Sequence, residues 1–280
     1  MTKKTRKKLS KKYSQRIKTL VLAAGLLICC CIVINLLFTI NILKKPIYKL
    51  DSRVKEVEKE KKKDKKDLGY ETIAWLKVQG TNIDTPIIGY EAATALENVD
   101  KENYLWNGIN EEKFFNQVAI SGHNILNLSA KPLIGKEYFT RFDDLMAFAY
   151  DDFVEENKYI QYTVDGEDYI YKIFGVFFEK DYNLDLKHEG NYTDEEMKKY
   201  LEQIEELNIY DFDVEVDESD DIITLTTCTR IYGKLNKKQF VVVGRKLREK
   251  EKMYNYEVTP NENYKEIEEK LKGDESNAKA

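Results

Sequence analysis

Apolar and polar positions divide the chain into one uninterrupted apolar run, a charged stretch, and a long body whose period changes repeatedly. Residues 19–43, TLVLAAGLLICCCIVINLLFTINIL, hold 25 positions without a charged side chain. At about 1.5 Å of helix rise per residue such a run spans a hydrocarbon core of roughly 30 Å. It exceeds the apolar core of a cleaved signal peptide and no small-residue cleavage site closes it, so it predicts a retained transmembrane helix. Residues 44–68 are charged and free of glycine, with Leu50, Val54 and Val57 at helical spacing. This pattern predicts a solvated helical stalk, with too few repeating apolar positions for a coiled coil.

The body begins near Gly69. Residues 74–88, AWLKVQGTNIDTPII, read as strand, turn and strand, with Gly80, Thr81 and Asn82 in the turn. A less regular region around Asn103–Trp106 follows, and then a strand over Asn116–Ile120 leads into Ser121-Gly122-His123-Asn124. Phe142–Phe153 carries apolar residues at helical spacing. Tyr159–Val164 and Tyr169–Phe178, around Asp165-Gly166, alternate and are rich in aromatic and β-branched residues, which predicts a hairpin. Asp194–Leu207 is an amphipathic helix with Thr193 as its N-cap. Ile222–Cys228 and Phe240–Leu247 are two further strands around a Lys-rich loop. Seven or eight strands with two or three inserted helices suit a closed or partly closed β-barrel better than an alternating α/β sheet. Beyond Leu247 the chain is highly charged, with one predicted helix over Tyr264–Lys272.

Charge sharpens this division. Residues 1–18 carry nine Lys or Arg and no acid, leaving 36 basic against 50 acidic residues in the remainder, a net −14. An acidic body argues against nucleic-acid binding, which depends on cations meeting phosphates. Residues 44–63 also carry nine cations, so flanking charge alone does not orient the anchor. A large domain after a helix crosses largely regardless of charge, whereas a short tail of nine cations is an awkward segment to export. The N-terminus is therefore expected in the cytoplasm and the body outside the cell.

Three of the four cysteines, Cys29, Cys30 and Cys31, lie within the apolar run and act there as small apolar residues or lipidation sites. Cys228 stands alone in the body, so it has no partner for a disulfide within one chain. It ends the β-branched strand Ile222–Thr227, where a nucleophile is held rigidly with one side open. A thiol near neutral pH needs a base, and the chain offers two histidines. His188, in LDLKHEGNY, reads as a surface-loop residue; His123, in SGHN, directly follows a strand. Asp143, Asp144, Asp151 and Asp152 fit no compact metal loop, and their predicted helix makes them a solvated face.

ISGHN at residues 120–124 and TLTTCT at residues 224–229 resemble the sortases, the Gram-positive cell-surface transpeptidases. WLKVQGTNIDTPII near the start and FVVVGRKL at the end extend the resemblance over residues 70–247. The long helix before the cysteine strand is most similar to class B. The resemblance implies an eight-stranded sortase-type β-barrel, mainly β, with inserted helices behind the transmembrane helix. It implies that Cys228 attacks the carbonyl of a threonine in a C-terminal sorting signal of a surface protein, and that His123 protonates the departing amine. An amine from a cell-wall precursor or a pilin then resolves the thioester, with no cofactor and no metal. The chain departs from the pattern at Gln239, where the family carries an arginine that steadies the oxyanion. Arg230, two residues past Cys228, is one replacement, and Gln239 itself is another; Lys237, Lys238 and Arg245 are weaker candidates. Two other readings remain open: a tethered cysteine protease that passes the acyl group to water, and a weakened module that only binds sorting peptides. The implied organisation is a cytoplasmic basic tail (1–18), an anchor (19–43), a charged stalk (44–68), a catalytic domain (69–248) and a charged C-terminal extension (249–280).

Overall fold

The computed structural model describes residues 18–36, 48–67, 72–89, 103–105, 115–124, 142–179, 190–229 and 239–265. The chain divides into two units, residues 1–47 and 48–280. In the first, helix α1 (Lys18–Leu36) is long and apolar enough to cross a membrane.

Among the described residues the second unit has ten strands: β1 (Thr72–Val78), β2 (Asp84–Gly89), β3 (Asn103–Leu105), β4 (Gln117–Ser121), β5 (Tyr159–Val164), β6 (Glu167–Glu179), β7 (Tyr210–Phe212), β8 (Ile222–Cys228), β9 (Gln239–Lys246) and β10 (Val258–Pro260). Eight of them close a barrel in the order β1-β2-β3-β4-β8-β9-β6-β5, and β7 pairs with β10 in a small separate sheet. Strands β2 and β3 run parallel, as do β4 and β8; the other barrel pairs are antiparallel. The mainly β, eight-stranded barrel read from the sequence is the observed fold.

Local chemistry explains the elements that the sequence announces. The β5–β6 turn takes positive φ at both Asp165 (52°) and Gly166 (81°), the two-residue geometry whose twist matches the flanking strands. Helix α4 (Asp194–Leu207) opens on a reciprocal cap, in which the Thr193 hydroxyl accepts from the Glu196 amide while the Glu196 carboxylate accepts from the Thr193 amide. Its buried face, Met197, Tyr200 and Ile204, lies on the outer surface of the barrel against Phe174, Phe177, Val241 and Val243. Gly175 makes that approach possible, because a Cβ there would stand 2.8 Å from Ile204 Cγ2. The opposite faces of the same strands, among them Val176, Phe178, Ile223, Leu225, Phe240 and Val242, fill the barrel interior. Alternation along each strand thus separates an inner core from an outer face, as the period of two requires.

Three regions depart from the sequence reading. The helix predicted over residues 142–153 is a buried 3₁₀ segment, Phe142–Ala149, then extended Tyr150, then the short α3 (Asp151–Glu156). Asp143 and Asp144 are buried rather than solvated, and the Asp144 carboxylate accepts from the Asn82 amide at 2.7 Å and from Asn82 Nδ2 at 2.8 Å. Pinning to that turn, with no polar face left free, replaces the amphipathic helix the spacing implied. Asp151 and Asp152 are exposed.

Residues 48–67, within the charged stretch, form helix α2 (Val54–Asp67) and dock at its beginning: Tyr48 and Val57 are buried. Arg53 grips Asp84 through Nε–Oδ1 (2.9 Å) and Nη2–Oδ2 (2.6 Å). Burial pushes the Asp84 carboxyl up, but Arg53 and the Trp75 indole N–H more than offset this and hold it below the usual range. The charged segment past Leu247 also packs onto the barrel. Tyr256 is buried with its hydroxyl 2.8 Å from the Lys158 and Ile173 carbonyls, and Glu251 accepts both Arg245 and Lys172.

Candidate active site

Strand β8 delivers Cys228 to the end of the barrel, where the thiol is half-buried. The run Ile222–Thr227 forms this strand because it is β-branched throughout except at Leu225, and it is buried because neighbours pair on both edges. Its register with β9 sets Cys228 opposite Gln239. Its parallel register with β4 sets Ser121 against Thr226. Continued by two residues on each chain, that register aligns position 123 with position 228.

Three hydrogen bonds extend the alignment past the end of β4. The Gly122 amide donates to the Thr226 carbonyl at 3.1 Å. The Thr227 hydroxyl donates to the Gly122 carbonyl at 2.7 Å. Asn124 Nδ2 donates to the Cys228 carbonyl at 3.0 Å. The neighbours of His123 on both sides are therefore held to the cysteine strand; Asn124 and Thr227 are buried and His123 as a whole residue is half-buried. Neither Asn124 nor Thr227 was singled out by sequence reasoning. Asn124 follows the histidine directly in SGHN, which is the only local signal for it.

The row continues beyond the cysteine. Gln239 pairs with Cys228 on one side and with Glu179 of β6 on the other. Cross-strand partners point to one face, so Cys228, Gln239 and Glu179 form one line over three adjacent strands. That face is the outer one, since the next residues inward, Thr227, Phe240 and Phe178, alternate with it and Phe240 and Phe178 lie in the inner core. Gln239 and Glu179 are 5% and 4% exposed, and Gln239 Oε1 has no hydrogen-bond partner among the described residues.

The other sequence candidates fall elsewhere. Arg245 lies at the far end of the β8–β9 ladder, opposite Ile222, and is buried in an ion pair with Glu251 (2.6 Å). Six residues of strand separate it from Gln239, about 20 Å, which removes it from the group around Cys228. Arg230, Lys237, Lys238 and His188 lie outside the described residues.

A half-buried thiol at a strand end, with a histidine on the segment that follows the neighbouring strand, suits nucleophilic attack assisted by proton transfer. Comparison with known proteins gives the same direction. The family model described as the Sortase domain matches residues 76–247. The sortase B of Staphylococcus aureus is 24% identical over 173 residues, covering 61% of this chain and 68% of that protein. Among solved structures, Clostridium perfringens sortase B superposes with a TM-score of 0.50 at 22% identity, over 70% of this chain and 98% of that one. A sortase B complexed with triglycine gives a TM-score of 0.53 at 19% identity, over 70% of this chain and 87% of that one. With the family model spanning the barrel from β1 to the end of β9, and with the fold of the sortase B structures, this chain belongs to the sortase family of cysteine transpeptidases.

Proposed function

We propose that Cys228 and His123 are the nucleophile and the proton-transfer partner of a class B-type sortase that processes surface proteins bearing a C-terminal sorting signal. The Cys228 thiolate attacks the carbonyl carbon of a threonine within the signal, and the scissile C–N bond breaks. His123 gives its proton to the departing amine, leaving a thioester on Sγ and a neutral imidazole. An incoming amine, from a cell-wall precursor or a pilin, then forms a new amide and releases the thiolate. Dividing one amide exchange into two steps is what a covalent nucleophile contributes. The observation that supports this reading is the β4–β8 register together with the bonds from Asn124 to the Cys228 carbonyl and from Thr227 to the Gly122 carbonyl, which tie the segment around His123 to the strand that ends on Cys228.

Gln239 stands beside the thiol where the family carries an arginine, so any help it gives the oxyanion is that of a neutral donor. Arg230 is the cation nearest to Cys228 in sequence, and we assign it the charged part of that role. The apolar helix α1 supports a membrane anchor over residues 19–43, with the basic tail of residues 1–18 in the cytoplasm and the barrel outside the cell.

The test is a labelled sorting peptide incubated with the intact protein, followed by mass spectrometry. A peptide adduct on Cys228 that is absent in Cys228→Ala, and that converts to a transpeptidation product when an amine is added, is the expected result. Hydrolysis alone at saturating amine would make the chain a protease, and absence of any adduct would leave a peptide-binding module.

A further inference from the structure

Helix α2 has two unlike faces. At 3.6 residues per turn, Lys55, Lys59 and Lys62 fall within an arc of about 60°. Val57, on the opposite side, is buried against the barrel. The exposed positions on the described part of the helix are Lys55, Glu58, Lys59, Lys62 and Lys63. Glu58 is held by Lys61 at 3.5 Å, and Lys63 by Glu60 at 3.3 Å. Among the described residues Lys55, Lys59 and Lys62 have no ion pair or hydrogen bond. Like charges three and four residues apart destabilise a helix, so this stripe does not serve the stability of the helix itself.

The other face is fixed. The Tyr48 ring stacks on Tyr159 at 6.3 Å, the Arg53 amide donates to Asp168 at 3.1 Å, and the Arg53 guanidinium holds Asp84. Charge is also divided along the chain. Residues 44–63 hold nine cations and four acids, a net +5, whereas residues 64–280 hold 27 and 46, a net −19. Val54 follows Leu43, the end of the apolar run, by only eleven residues. A negatively charged surface attracts the first of these regions and repels the second, so it meets the molecule through α2. Resting on the anchor proposed for residues 19–43, we infer that Lys55, Lys59 and Lys62 seat α2 on an anionic lipid surface, their ammonium groups donating to headgroup phosphates. Because the opposite face of α2 is locked to the barrel, that contact sets the tilt of the barrel over the bilayer, which an anchor and a loose stalk would leave free.

The test places the full chain in nanodiscs of phosphatidylcholine, or of an equal mixture of phosphatidylcholine and phosphatidylglycerol. Lysines are acetylated with acetic anhydride, a neutral reagent, and rates are read by mass spectrometry. Lys198 and Lys199, exposed on α4, serve as the internal reference. Relative to that reference, Lys55, Lys59 and Lys62 should react at least about fivefold more slowly in the mixed discs than in phosphatidylcholine. That factor is what one lysine held at an anionic surface gives. Molar salt should abolish the difference. Lys55→Gln combined with Lys62→Gln should return Lys59 toward its rate in phosphatidylcholine. Equal ratios in the two discs would overturn the inference, as would a Lys59 that stays protected in the double variant. Slowing by a soluble polyphosphate but not by the mixed discs would overturn it too, giving the stripe a different partner. A chain that does not stay with the discs at all would refute the anchor first, and this inference with it.

Discussion

The Thr227 hydroxyl is the shortest link between the cysteine strand and the histidine segment, and removing it tests whether that link positions the site. Thr227→Val keeps the shape of the side chain and its β-branched character but deletes the donor that reaches the Gly122 carbonyl at 2.7 Å. Thr227 is 1% exposed, so water does not easily take its place. An acceptor left unpaired in such a site costs about 1–3 kcal/mol, which should appear as a lower midpoint in chemical unfolding followed by tryptophan fluorescence. The functional effect is separable from that loss. Two clamps remain, Gly122 N to Thr226 O (3.1 Å) and Asn124 Nδ2 to Cys228 O (3.0 Å), so His123 should shift rather than leave. A displacement of about 1 Å in a reacting group can cost about 10²-fold; with two of three clamps kept, about a tenfold fall in the acylation rate is expected. It should fall on kcat, with KM for the peptide little changed, because substrate binding surfaces are untouched. Stopped-flow acylation with a fluorogenic peptide reads both constants. A variant that loses stability but acylates at the wild-type rate would refute the positioning argument, as would a change confined to KM.

Three other outcomes follow from the same structure. Glu251 is pushed up by burial but pulled down further by Arg245, Lys172 and the Arg248 amide, to about 2 from an ordinary 4.5. Its contribution is thus fully present above about pH 4.5 and is lost as pH falls toward 2, worth roughly 1–2 kcal/mol once solvent screening of a part-exposed carboxylate is allowed for; Glu251→Gln should lose that much at neutral pH and show a flatter acid-unfolding profile than wild type. Gly175→Ala inserts a methyl 2.8 Å from Ile204 Cγ2, so α4 must shift or β6 distort, and unfolding should move by about 1–3 kcal/mol while Gly166→Ala, with open space around it but positive φ, acts through backbone strain instead. Arg230→Ala should slow acylation by about 10² or more if this residue steadies the oxyanion; an effect below threefold, in the same stopped-flow measurement, would return that role to Gln239 or to the lysines.

How far the sequence reaches depends on whether the cause of a feature is local. The β8 strand and α4 were legible to the residue at both ends, because a β-branched run and a Thr–Glu capping box act within a few positions. The motifs around His123 and Cys228 were legible in the sequence, but the bonds that tie their two segments together were not, since they cross separations of 104 and 105 residues. Strands β3, β7 and β10 are three residues each, too short for a period to register, and exist only through their partners. The 3₁₀ segment was misread because Asp143 and Asp144 look polar in a sequence and are buried in the fold, one of them serving a turn 62 residues away. Glu179 was invisible for a related reason. Nothing near it in the chain links it to Cys228, and only the order β8-β9-β6 puts it in the same row.

The parallel pairing of β4 with β8 also governs when the segments around His123 and Cys228 can come together. His123 is made first and waits, while the strand that carries the thiol needs both β4 and β9 as neighbours and β9 ends at Lys246. A fragment that stops short of that point leaves one edge of the cysteine strand unpaired, and such long-range contacts must await the late strands. In a chain still emerging from the ribosome the strand that ends on Cys228 therefore has β4 for a neighbour but not yet β9, and the eight-stranded barrel closes only once β9 is complete.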